Sequence, residues 1–276
     1  IGTDAGLFSY DGYHGYRHFG DCTVANTRVN ALAQQSNMLY LATGNGLQAF
    51  DLDTYAYRPS TATAAGTTTT RKTPTELRVI DLRHGRDGYG SDVYALLPTR
   101  RGLLKGTISG LYLGRRQIAF CPGTQPLVNA LAYDAHRRCY WIGTVGALFR
   151  ADLQLKSFTC IDALNGHSIK CFALAANGTL YIGTDDGLFS MAASDTISHY
   201  QHDSHDASSI PNNIVWACYV DKWQNVWIGT DNGHSRLSSH TYYIYTPLYK
   251  ATLSNEGNCL HALCQTRDGE WWMGGT

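Results

Sequence analysis

Apolar residues along this chain come in short runs, not in long stripes. The stretch 212–246 shows the unit: "NNIVWACYVD" at 212–221, "NVWIGT" at 225–230, "HSRLSS" at 234–239 and "YYIYT" at 242–246, with brief polar breaks between. Runs of about five to eight residues rich in Val, Ile, Tyr and Trp, bounded by turn formers, predict strands joined by tight turns. No long window carries an apolar stripe at the helical period, so helices are expected to be scarce.

The second of these runs recurs. It appears as "IGTDAGLFSYD" at 1–11, "YLATGNGLQAFD" at 40–51, "LLKGTISGLYL" at 103–113, "CYWIGTVGALFRADL" at 139–153 and "LYIGTDDGLFS" at 180–190. It appears again as "NVWIGTDNGHSRLSS" at 225–239 and, cut short, as "WWMGGT" at 271–276. Thr3, Thr43, Thr107, Thr144, Thr184, Thr230 and the matching Gly275 are separated by 40, 64, 37, 40, 46 and 45 residues. A period near forty is the signature of a repeat architecture.

Turn chemistry agrees. Asn177-Gly178 and Asp268-Gly269 fall between first and second runs, and Asn45-Gly46, Asp186-Gly187 and Asn232-Gly233 between second and third. Such pairs suit two-residue hairpins. Each repeat therefore reads as a four-stranded antiparallel meander, and repeats that must bury both sheet faces arrange radially as a β-propeller. Seven blades, with an incomplete one at the join, is the first expectation and six the second. The first copy lacks its first strand and the last copy its final two, so the chain reads as a window on a longer sequence. The glycine of Ile-Gly-Thr is expected to let neighbouring blades approach. Ala31, Ala33, Ala95, Ala130 and Ala132 suit a crowded centre.

Composition sharpens this picture. Of 276 residues, 43% are hydrophobic, enough for a large core in a single propeller domain over 1–276. Charge is balanced, 22 basic against 22 acidic, which argues against a nucleic-acid or anionic-membrane surface. Only Glu76, Glu256 and Glu270 stand against nineteen Asp, a bias toward turns over helices. Neither a signal peptide nor an apolar stretch of about eighteen residues occurs. The Thr-rich segment 58–76 accounts for the 64-residue gap and reads as a loop inserted near the last strand of its blade. Eight cysteines contain no CxxC, so no zinc or redox motif is indicated; Cys171 and Cys218 read as small buried hydrophobes.

Catalytic signatures are missing: no GxSxG, GxGxxG after a strand, Walker sequence, HExxH or EF-hand loop occurs. No cofactor or metal is expected. The densest polar cluster, "SHYQHDSHDASSIPNN" at 198–213, holds His199, His202, His205, Asp203 and Asp206. Three-residue spacing on a strand sends successive imidazoles to opposite faces, so a polar loop is the simpler reading. Trp216 stands on an inner strand where Ala, Cys or His261 is read in other repeats; it can stack on a sugar ring or fill space. Turns between second and third strands open on the same face as the blade-to-blade loops. That face carries Asp4, Asp185, Asp186, Asp231, Asn232 and His234 and is the default ligand mouth. Trp216, His234, Asp231, Asp185, His202 and His205 are the candidate ligand-binding residues. "NGT" at 177–179 matches a glycosylation sequon but also makes a hairpin turn.

The phrase W-I-G-T-x-x-G-L, carried here by Trp141–Leu148, Tyr181–Leu188 and Trp227–His234, resembles the two-component regulator propeller repeat of Bacteroidetes hybrid two-component sensors. Opening residues "IGTDAGLFSYDGYHGYRHF" look like the first blade of such sensors. The resemblance implies a periplasmic first propeller in a parent anchored in the inner membrane. That parent would add a second propeller, an immunoglobulin-like domain, a histidine kinase and a DNA-binding regulator, and would act as a homodimer. It also implies an oligosaccharide ligand and control of glycan-utilisation genes, with no catalysis and no nucleic-acid contact by this segment. Ala42, Lys105, Ala147 and His234 depart from the repeat pattern, and the family offers no transferable sugar-binding motif. Two rivals stand beside the sensor: a propeller lyase or glycosidase, which would need paired carboxylates or a Tyr/His base, and a protein-interaction scaffold.

Overall fold

A computed structural model of the chain describes residues 2–3, 6–10, 15–17, 28–44, 46–52, 57–64, 67–74, 79–81, 92–206, 208–238, 244–245, 260–265 and 271–275. Among these residues the protein is all-β, with five four-stranded antiparallel sheets of the propeller-blade type. No α-helix occurs among them; Asp162–Leu164 forms a 3₁₀ turn. Among the described residues no helix is long and apolar enough to cross a membrane. The chain divides into two compact units, 1–118 and 119–276.

Unit one opens with a three-stranded sheet, Gly2–Thr3, Gly6–Tyr10 and Gly15–Arg17. Blade one follows with Val29–Gln35, Met38–Thr43, Gly46–Asp51 and Val79–Asp81. Between its third and fourth strands lies a separate hairpin, Tyr57–Ala64 paired with Thr67–Pro74, formed by most of the Thr-rich segment. Blade two is Val93–Thr99, Gly102–Thr107, Gly110–Leu113 and Arg116–Ile118.

Unit two holds blade three (Val128–Asp134, Cys139–Thr144, Leu148–Ala151, Phe158–Cys160) and blade four (Ile169–Leu174, Leu180–Thr184, Gly187–Met191, Ile197–Tyr200). Blade five is Val215–Val220, Val226–Thr230, Gly233–Leu237 and Ile244–Tyr245, and a two-stranded sheet of Leu260–Gln265 and Trp271–Gly275 follows. Strands run in chain order within each sheet of this unit. The seven-blade count expected from the sequence is not established: the terminal copies form sheets of three and two strands.

First strands of successive blades lie side by side in each unit, so these are the inner strands. Close approach there explains the repeated glycine. A Cβ on Gly143 would sit 2.5 Å from Ile169 Cγ2, and one on Gly183 would sit 2.4 Å from Cys171 Sγ and 3.0 Å from the Val215 carbonyl oxygen. The spacer between blades three and four is a core of Trp141, Leu148, Leu164, Ile169, Leu180 and Ile182, each fully excluded from solvent. A second core, centred on Leu188, Ile210, Val215 and Ile228, fills the space between blades four and five.

Two devices fix the blade ends. At one end the repeated threonine closes the turn between second and third strands. The hydroxyls of Thr43, Thr107, Thr144, Thr184 and Thr230 donate to the carbonyl three residues on, at 2.6 to 2.9 Å. Glycine at the start of the third strand takes positive φ, +98° at Gly187 and +92° at Gly233. Asp186 and Asn232 before them do not, so the expected pairing of two left-handed residues is replaced by a single glycine after a two-residue turn. Asn45 and Asp268-Gly269 lie outside the described residues.

At the other end of blades three and five an aspartate holds the turn between first and second strands. Asp134 accepts the Arg137 backbone N–H at 2.9 Å and the Trp141 indole N–H at 3.0 Å. Asp221 accepts backbone N–H groups of Trp223 and Asn225 and the Trp227 indole at 3.1 Å. The tryptophan of Trp-Ile-Gly-Thr, fully buried at Trp141 and half-buried at Trp227, thus has its one polar atom satisfied by the aspartate at the end of the first strand.

Candidate functional site

Every inner strand with a described partner breaks register at the same point. The ladder skips between Val29 and Ala31, Val93 and Ala95, Val128 and Ala130, Ile169 and Cys171, Val215 and Ala217, and Leu260 and Ala262. A β-bulge of this kind leaves one extra residue unpaired and re-aims it. The extra residues are Asn30 and Tyr94 in unit one, and Asn129, Lys170, Trp216 and His261 in unit two. All carry a hydrogen-bonding or cationic group, whereas the residues flanking them are apolar and mostly buried. This corrects the sequence alignment of Trp216: its counterparts are these bulge residues, not the alanines and Cys171 one place later.

The bulges lie beside the threonine turns, at the end of the blade where the turns between second and third strands open. In unit two they form an arc across three blades. Lys170 places its ammonium 4.1 Å from the centroid of the Trp216 ring, and Trp216 donates its indole N–H to Asp231 at 3.0 Å. Lys170, Trp216 and Asn129 are all half-buried, and Asp231 is exposed. The structure brings the candidates Trp216 and Asp231 together; Lys170 and Asn129 carry no motif as a lone Lys and Asn, and only the shared bulge relates them to Trp216.

Other candidates fall into separate settings. Asp185 accepts the backbone N–H of Ser168 at 2.9 Å, tying the incoming loop to the turn. Asp186 accepts Gln201 Nε2 at 2.9 Å and lies 3.9 Å from both His167 Nδ1 and His199 Nε2. His199 stacks on Phe189 at 3.8 Å. His202 is turned to the Ile210 carbonyl at 2.8 Å, with its backbone N–H on Asn213. His205 is 94% exposed at its side chain, beside Asp203. The three imidazoles of the 198–213 stretch thus do not converge, and no metal-type cluster occurs among the described residues. His234 lies inside blade five, 2% exposed, stacked near Trp227, with no partner for Nδ1 among the described residues. Burial lowers its pKa, so it is held neutral beneath the rim. Asp4 lies outside the described residues.

Five cysteines are free among the described residues. Cys171 and Cys218, on neighbouring inner strands, share a hydrogen bond, and that contact together with burial raises the Cys218 pKa well above its ordinary value. Both pack against the core between blades four and five.

These features define a propeller-type repeat protein with a polar arc on its inner strands. Residues 209–232 match the two component regulator propeller family. No curated protein matches the chain. It is similar over 99% of its length, at 27% identity and TM-score 0.53, to the extracellular domain of a hybrid two component system from B. thetaiotaomicron. A second such domain from the same organism matches at 17% identity and TM-score 0.54, over 99% of this chain. This chain spans 41% of each of those two. Virginiamycin B lyase from Staphylococcus aureus matches in fold alone, at 12% identity and TM-score 0.58, over 91% of this chain and 79% of that one. The chain thus carries the repeat and the fold of hybrid two-component sensor ectodomains.

Proposed function

We propose that this chain is the ligand-sensing, extracytoplasmic propeller region of a hybrid two-component sensor, and that it binds an oligosaccharide at the bulge arc without turning it over. The similarity at 27% identity over 99% of the chain to the extracellular domain of a hybrid two component system supports the sensor-region part of this reading most directly. The proposal places the chain in the periplasm, within a seven-bladed ring, in a parent anchored in the inner membrane. A second propeller and an immunoglobulin-like domain follow it in that parent, which acts as a homodimer.

The arc has suitable chemistry for sugar: an indole for ring C–H faces, an amide and a carboxylate for hydroxyls. Signalling then requires that ligand favour one arrangement of the parent's domains, since equal affinity for two states shifts nothing. The test is a thermal-shift screen of the chain against plant, host and fungal oligosaccharides, run beside an assay for released products. A selective upward shift without product supports the sensor. Product formation sinks the non-catalytic reading, and no shift with any sugar sinks the oligosaccharide reading.

A further inference from the structure

The six bulge residues are not equivalent, and the difference points to a ligand chemistry. Three are engaged with the protein itself. Asn30 donates to the Val93 carbonyl at 2.7 Å, Tyr94 donates to Asp92 at 3.2 Å, and Trp216 donates to Asp231 at 3.0 Å. Two are not. Among the described residues the Asn129 amide has no hydrogen-bond partner, and Lys170 makes no ion pair or hydrogen bond, only its contact with the Trp216 ring. The sixth, His261, holds the same register position on the next inner strand.

Among the described residues the rim carboxylates do not balance that cation. Asp231 is held by the Trp216 indole, Asp185 by the Ser168 N–H, and Asp186 by Gln201. None comes within ion-pair distance of Lys170. An ammonium with three donors, half-buried against an indole face, with an unengaged amide at the same register position of the adjacent inner strand, is a site with positive charge and donors to spare. A neutral ring would leave that ammonium partly desolvated without a counter-charge, whereas an anion would answer it directly.

We propose that Lys170, Asn129 and Trp216 form an anion-accepting subsite for a saccharide ring bearing a carboxylate or a sulfate. The anionic group meets the Lys170 ammonium, the Asn129 amide donates to the same group or a neighbouring hydroxyl, and the ring lies against the indole. The inference rests on the sensor reading of the same rim and narrows its ligand class.

The experiment is calorimetric titration of the 276-residue chain with matched probes. Trigalacturonic acid is set against galactotriose, a sulfated disaccharide against its unsulfated form, and inorganic sulfate serves as the bare anion. Lys170→Met, Asn129→Ala and Trp216→Ala are titrated alongside, with melting curves as folding controls. At least one anionic sugar is expected to bind more tightly than its neutral match and to weaken as salt rises. Lys170→Met is expected to lower that affinity about tenfold or more, while leaving the melting temperature unchanged. Which anionic probe binds distinguishes carboxylate from sulfate.

Equal binding of neutral and anionic members, or no effect of Lys170→Met, overturns the anion subsite and leaves the sensor reading standing. Bare sulfate binding as tightly as the sugars overturns the saccharide part. No binding by any saccharide overturns both.

Discussion

Asp134 offers the sharpest test of how a blade is held. Its carboxylate is 1% exposed and meets the Arg137 guanidinium at 2.9 Å, the Arg137 backbone N–H at 2.9 Å and the Trp141 indole at 3.0 Å. Arg137 continues to the Gly178 and Ala192 carbonyls and to Asp195, so the pair links blades three and four. Asp134→Ala strands the indole N–H of fully buried Trp141, which costs about 1–3 kcal/mol, and removes the turn bond, about 1 kcal/mol. Breaking a buried pair costs about 3–5 kcal/mol where the partner is left alone; Arg137 keeps the Gly178, Met191 and Ala192 carbonyls and Asp195 as acceptors, so its share is smaller. A total of about 3–4 kcal/mol follows, a fall of roughly 10 °C for a unit of this size. Asn retains one acceptor oxygen, so Asp134→Asn is expected to fall between parent and Ala.

The pH dependence has a defined sign. Burial pushes the Asp134 carboxyl up, but hydrogen bonds from the Arg137 N–H, the Trp141 indole and the Arg137 guanidinium, with that cation's charge, hold it below its ordinary 3.8. Its stabilisation is therefore complete above that value and is lost as pH falls through the lower folded-state value. Calorimetric melts of parent, Asp134→Asn and Asp134→Ala between neutral and acid pH check both statements. A loss under about 1 kcal/mol for Ala, or a parent–Ala gap that does not shrink in acid, refutes the account.

Other outcomes follow from single sites. Gly183→Ala should cost about 2–3 kcal/mol in a denaturant melt, because its Cβ meets Cys171 Sγ at 2.4 Å and the Val215 carbonyl at 3.0 Å, while Gly44→Ala, with nothing within 4 Å, should be near neutral. His234→Leu restores the residue found at this place in other blades and removes an unpartnered Nδ1, so melting should rise. Burial lowers the His234 pKa, so the parent loses stability as pH falls below the unfolded value of 6.5, and the Leu variant should lose less. Lys105, 4% exposed, is brought down to about 8 by burial and by Arg115, so stability should climb between about pH 8 and 10.5 and Lys105→Met should flatten that slope.

Much of the fold was legible because repetition averages out local ambiguity. The Ile-Gly-Thr glycine needed only the copies to be compared, and its structural reason, blades too close for a Cβ at Gly143 and Gly183, was inferable from residue size. Asp134 and Asp221 were readable as turn residues, but their bonds to Trp141 and Trp227 were not, since those depend on two strands pairing in register. The site was legible only in part. Trp216 and Asp231 stood out as an aromatic and an acid, yet His234, which looked like a rim residue, is enclosed by its blade.

The sequence alone determined the repeat, the strand pattern, the turn positions and the lack of any catalytic motif, because these depend on residue type and spacing within about forty positions. Tertiary structure decided which residues share the arc. A bulge displaces one residue from the ladder, and that displacement is set by pairing with a second strand, so Asn129, Lys170 and Trp216 become neighbours in role only once three sheets are formed side by side. Whether such a residue is spent on its own blade, like Asn30, or left for a ligand, like Lys170, depends on distances that no stretch of sequence contains.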